Sequence, residues 1–164
     1  MFKSVQKLTV NSTMHIHYLS LNMPEGDSVI NGPIQLSTPL QTLIRKALTL
    51  CELMLPHSQA FYPFAAVYEN GKAGCLFADD ITSSQNESYL IEQLQWRIID
   101  TTTDTHSHSI LVYAATVTTE YQKQLDAIAI NATDASGYET VLLYPYKRID
   151  GKILISPPMN HSAT

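Results

Sequence analysis

The chain is short of charge. Only 15% of its 164 residues are Asp, Glu, Lys or Arg, against about 25% in ordinary soluble domains. Ser, Thr, Asn and Gln fill the deficit, so the surface is polar but weakly charged. Cations are the scarcer sign, 10 against 15 acidic residues, for a formal net charge of −5. That balance disfavours binding along a phosphate backbone and excludes a nucleic-acid binder as the leading reading. Cysteine is scarce too. The two present, Cys51 and Cys75, fall on an apolar helical stripe and inside a predicted strand, where free Cys behaves as a small hydrophobe. A reducing, cytoplasmic setting is expected. No run approaches the roughly 18 apolar residues of a membrane-crossing helix. Met1 to Val10 carries Lys3 and Lys7 without a continuous apolar stretch, so no secretory leader is predicted.

What is present is a clear order of elements, and the length fits one domain. Residues 1–36 read as an N-terminal β hairpin or arm, with strands at Lys7 to Val10 and Met14 to Leu21. Pro24-Glu25-Gly26-Asp27 and Asn31-Gly32-Pro33 then read as turns. The main domain is expected over 37–157, with a loose tail at 158–164. Its first helix is predicted to open with Thr38 as cap, Pro39 in the first turn and Gln41 closing a capping box. Leu40, Leu43, Ile44, Ala47, Leu48, Cys51, Met54 and Leu55 then recur at three- and four-residue steps, and Pro56 stops the helix.

Phe61 to Tyr68 reads as a strand, Asn70-Gly71 as a type I′ hairpin turn and Ala73 to Ala78 as the returning strand. Pro63 lacks an N–H, which predicts an edge position or a bulge. Ser84 and Glu87 form a second capping box before a helix with Leu90, Ile91, Leu94 and Ile98 on one face. Strands follow at Ile110 to Thr118, Asp126 to Thr133, Tyr138 to Tyr146 and Lys152 to Ser156, the last after the Asp150-Gly151 turn. These strands are apolar on both faces. Ile110, Val112 and Ala114 oppose Leu111, Tyr113, Ala115 and Val117, whereas a sheet with one wet face alternates apolar and polar. The expected fold is therefore α+β: an antiparallel sheet of about five or six strands, with two helices packed on one face. The arm, a second subunit or a partner is expected to cover the other.

Three short motifs, Phe61-Tyr62-Pro63-Phe64-Ala65, Asp126-Ala127-Ile128 and Leu143-Tyr144-Pro145-Tyr146, together resemble a family of small uncharacterised bacterial proteins. The resemblance covers about Thr38 to Ser156 and imports no activity. In its order of elements the main domain is also similar to roadblock and profilin-like folds. The roadblock group commonly dimerises and scaffolds other proteins. The C-terminal helix usual there is missing here, since Pro157-Pro158 closes the last strand.

Candidate chemistry is sparse. His15 and His17 share a strand face at a two-residue step, and Asp104, His106 and His108 repeat that spacing, which suits zinc or a similar ion. The same residues in a Ser/Thr-rich connection also serve solubility alone. No Gly-x-Ser-x-Gly elbow occurs, and the cysteines lack the cationic, part-exposed setting of a reactive thiol. Asp79, Asp80, Glu87 and Asp126 could act as acids and bases, but turn and cap roles account for them. Gly71-Lys72-Ala73-Gly74 runs into a strand, so no phosphate loop forms there.

Aromatics are the better hint. Tyr62, Phe64 and Tyr68 share one strand face, and Tyr138, Tyr144 and Tyr146 share another, as expected of a partner-binding surface. The sequence therefore points to a noncatalytic protein-binding module without a cofactor. Its partner is expected to be another protein or a second copy, and neither nucleic acid nor membrane. It would serve as an immunity or inhibitor protein, or as a dimeric scaffold. A small-molecule or metal-binding sensor is the alternative.

Overall fold

Ser37, one residue earlier than predicted, is the N-cap of the first helix, α1 (Thr38–Met54). The Gln41 side chain does not close a reciprocal box. Its amide donates to the Leu36 carbonyl at 2.7 Å and so ties down the entering chain. Pro39 lies in the first turn, where a missing N–H costs nothing. Leu40, Leu43, Ile44, Ala47 and Cys51 are the buried face. A 3-10 turn at Leu55–His57, carrying Pro56, ends the helix. The computed structural model describes residues 4–10, 19–21, 36–59, 61–78, 87–102, 106–118 and 121–161, with backbone alone for 4–10, 19–21 and 160–161.

The second helix is α2 (Glu87–Thr101); Ser84, its predicted cap, lies outside the described residues. The strands, in chain order, are β1 (Ser4–Val10), β2 (Leu19–Leu21), β3 (Phe64–Glu69), β4 (Lys72–Phe77), β5 (His108–Thr118), β6 (Gln124–Thr133), β7 (Glu139–Ile149), β8 (Lys152–Ile155) and β9 (Met159–His161). Every pairing among them is antiparallel. The longest path through the sheet is β2-β1-β5-β6-β7-β8. The α+β class and the antiparallel sheet are as the sequence predicts.

β5 is the spine. One edge pairs with β6 along ten residues, Ser109 to Thr118. Its other edge is shared: β3 takes His108 to Val112, and β1 takes Ala115 to Thr118. The N-terminal hairpin thus extends a sheet edge. Pro63 stands just before β3, so its missing donor removes no ladder bond, and β3 runs between β4 and β5 instead of along an edge. Two turns follow their sequence chemistry. Asn70 and Gly71 have φ of 52° and 76°, and Asp150 and Gly151 have 51° and 74°, the paired positive values of a type I′ turn. The tail departs from expectation. Met159–His161 pairs with Val141 to Leu143, because β8 occupies only Tyr146 to Ile149 of that edge and leaves the rest open.

The two helices divide between the faces. The α1 stripe packs with Phe64, Ala66, Ile110, Val112, Ala114, Ile128, Ile130, Leu142, Tyr144 and Tyr146. Leu90, Ile91 and Leu94 of α2 pack instead with Ala65, Leu111, Tyr113, Ala115, Ala129 and Leu143. These two sheet sets alternate along each strand, so they point to opposite sides. That corrects the expectation of both helices on one face: α2 itself covers much of the second apolar face. Arg97 pins α2 on its β4 side, donating to the Phe77 carbonyl.

The end of α1 is held from the sheet. Arg148 of β7 donates to the Leu55 carbonyl, to Ser58 O at 2.7 Å and to Gln59 O at 3.1 Å. A guanidinium there satisfies carbonyls the helix leaves open and complements its dipole.

If both faces are true core, truncation on either should cost alike. Leu43→Ala under α1 and Leu94→Ala under α2, both 0% exposed, should each destabilise by about 2–5 kcal/mol in urea unfolding. A loss under about 1 kcal/mol for Leu94→Ala would show that α2 is not packed as described.

Candidate functional site

The coverage of the second face is incomplete. α2 lies over β3, β4 and β5. Beside it, over β5, β6 and β7, runs an open groove of about 1120 Å³. Its floor follows from strand register. Leu111, Asn131 and Val141 form one row across the sheet, and Ser109, Thr133 and Glu139 form the next. Its wall is the flank of α2 that carries Ser88, Glu92, Gln95 and Ile99, with Tyr89 and Trp96 beside them. The seven-residue steps Ser88 to Gln95, Tyr89 to Trp96 and Glu92 to Ile99 are two helical turns each, so these pairs stack along the axis.

Three large apolar side chains stand wet among the polar ones of this flank. Tyr89 is 47% exposed, Trp96 60% and Ile99 61%. Isolated exposed apolar residues are ordinary, but three large ones lining a single concavity are not. Charge among the described lining residues has one sign: Glu92 comes from the helix wall, Asp134 and Glu139 from the sheet side, with no Lys, Arg or His among them. The Asp134 carboxylate accepts from Ser136 Oγ at 2.6 Å, Ser136 N at 2.8 Å and Tyr138 N at 3.0 Å. The Ser136 hydroxyl and these amides hold its pKa below the ordinary value, so it stays ionised. In the floor, buried Tyr113 donates to Asn131 Oδ1 at 3.1 Å and fixes that amide. Burial raises the Tyr113 phenol pKa above its usual value, against the lowering effect of this bond.

The residues singled out from sequence fall elsewhere. Phe64, Tyr144 and Tyr146 are 1%, 7% and 6% exposed, under α1. Burial there makes them core and removes them from any surface offered to a partner. Tyr68 is half-buried, its ring edge-on to His108 with centroids 6.4 Å apart. Tyr62 and Tyr138 are exposed, at 57% and 67%, so the six do not make one surface. His106 is exposed, and half-buried His108 has Nδ1 3.4 Å from Ser37 Oγ. His15, His17, Asp79, Asp80 and Asp104 lie outside the described residues. Among the described residues, no three His, Cys, Asp or Glu side chains gather as metal ligands do. Asp126 is exposed on β6 opposite Thr116.

Sequence reasoning missed Tyr89, Trp96 and Ile99. The signal was available: the chain's single Trp and a nearby Ile stand off the buried stripe of their helix. Comparisons with protein-family models, with curated proteins and with solved structures find no match for this chain. No helix among the described residues is long and apolar enough to cross a membrane.

The thiols differ sharply. Cys75 is exposed on β4, whereas Cys51 is 0% exposed beneath α1. Burial, with Glu52 nearby, pushes the Cys51 pKa from 9.0 up to about 12. Folded protein then keeps a proton that the unfolded chain loses, so stability must fall as pH rises through that window, by up to about 1.4 kcal/mol per pH unit. Burial raises the Tyr144 and Tyr146 phenols as well, so Cys51→Ala should remove only part of the alkaline slope. Under native conditions iodoacetamide should label Cys75 alone, as intact-mass spectrometry would show. Labelling of Cys51 at a comparable rate would contradict this packing.

Proposed function

We propose that this chain is a noncatalytic protein-binding module, acting as an immunity or inhibitor protein or as a scaffold subunit. The observation that carries the reading is the exposed Tyr89, Trp96 and Ile99 flank beside a groove. Leaving that much apolar surface wet is unfavourable, and interfaces concentrate such aromatics. A second copy of the chain is one partner such a flank would accept, which makes a homodimer one form of the module. A fully buried Cys51 and an exposed Cys75 are not placed to pair, which supports a reducing, cytoplasmic compartment.

A second reading, a small-molecule sensor, is favoured by the groove's size. At about 1120 Å³ it slightly exceeds the roughly 300–1,000 Å³ usual for ligand sites. Its openness along α2 favours a macromolecule over an enclosed ligand. A metal-binding form of that reading rests on His15, His17, His106 and His108.

The double variant Trp96→Ser/Ile99→Ser separates these readings from a structural one. Outside the core, these changes should alter unfolding free energy by about 0.5 kcal/mol or less each, while abolishing association with a protein partner or second copy. A loss above about 2 kcal/mol would mark the flank as core and end the binding reading. In native mass spectrometry of protein purified without chelators, a stoichiometric organic or metal mass would favour the sensor instead.

A further inference from the structure

We propose that the groove beside α2 takes a basic amphipathic helix of a partner protein; the inference rests on the binding reading above and specifies its partner. Shape is the first argument. A helix with its side chains is about 10–12 Å across, and strands lie about 4.8 Å apart, so one helix covers roughly two strand spacings. α2 occupies the lane over β3 to β5. The next lane of that width lies over β5 to β7, and the groove opens it at the rows of Leu111, Asn131 and Val141 and of Ser109, Thr133 and Glu139, beyond buried Ala129 and Leu143. A helix laid there completes a second layer on this sheet face.

Charge selects the occupant. Carboxylates stand on both sides of the lane, Glu92 on α2 and Asp134 with Glu139 at the β6–β7 end, with no cation among the described lining residues. Asp134 is held ionised by its turn. Between them lie half-buried Val141 and exposed Ile99, with buried Leu111 beneath. The complement is a helix with one apolar stripe flanked by Lys or Arg.

Apart from Lys3, the segments outside the described residues hold no Lys or Arg, and residues 22–35, 79–86 and 103–105 carry Asp or Glu. Within the groove, as distinct from the apolar side chains on its rim, a second copy is a poorer occupant than a cationic helix, since it brings a net charge of −5 and the same carboxylates. Like charges facing across an interface oppose association.

Trp96 is the only Trp, so its fluorescence reports on the groove rim directly. The probe is a synthetic leucine–lysine amphipathic helix of about four turns, or about 14 residues. Controls are a leucine–glutamate peptide of the same pattern and a leucine–lysine peptide with shuffled order. Saturable one-to-one binding that shifts Trp96 emission to the blue and weakens with salt is expected for the patterned cationic peptide alone. Glu92→Lys/Glu139→Lys, both exposed positions, should weaken it about tenfold and let the leucine–glutamate peptide bind.

Equal binding of the shuffled peptide, or no effect of charge reversal, overturns the proposal. If no peptide binds but wild type self-associates and Trp96→Ser/Ile99→Ser abolishes that, the binding reading stands and the basic helix falls. If no peptide binds and nothing depends on the flank, both fall.

Discussion

The molecule is organised by one constraint: a long central strand that is apolar on both faces must be covered on both. Ile110, Val112 and Ala114 of β5 point to one side, and Leu111, Tyr113, Ala115 and Val117 to the other; all seven are buried. Two helices of unequal reach answer that demand. α1 covers its face with a 17-residue helix whose end is held by Arg148 of β7, on the same face of the sheet. α2 has 15 residues and is tied toward β4 by Arg97, which sets it over one half of the opposite face. Cover is left incomplete at the end of that face marked by Leu111, Asn131 and Val141, and there the groove opens. The most conspicuous surface feature is thus a consequence of how the core is closed.

Much of this was legible in sequence, for local reasons. The three- and four-residue steps of Leu40, Leu43, Ile44, Ala47 and Cys51 specify a helix and its buried face, and that face is buried as read. Asn70-Gly71 and Asp150-Gly151 announce turns that need two positive φ values, and they have them. The doubly apolar strands announced two covered faces. What sequence could not supply was assignment in space. The stripe of Leu90, Ile91 and Leu94 reads the same whichever face it meets, so the side taken by α2 depends on the chain's path between β4 and β5. Parity misleads the aromatics similarly. Tyr144 and Tyr146 do share a face with Phe64, but where both faces are apolar, a period of two does not separate inside from outside.

The candidate site was the least legible part because it is defined by what is left over. Tyr89, Trp96 and Ile99 carry no motif, and they stand out only once the buried stripe of α2 has been subtracted. The floor is scattered over three strands, and only register brings Leu111, Asn131 and Val141 into one row. Met159–His161 escaped for a related reason: a three-residue strand after two prolines has no pattern of its own and pairs because β7 leaves an edge free.

The α2 flank stands open to solvent in the free protein. Acrylamide quenching of Trp96 in dilute, monomeric protein tests it most directly, since no other Trp contributes. Red-shifted emission and ready quenching are expected of a side chain 60% exposed. Blue-shifted emission shielded from acrylamide would mean the flank is already covered, and would contradict the groove as a site for a partner.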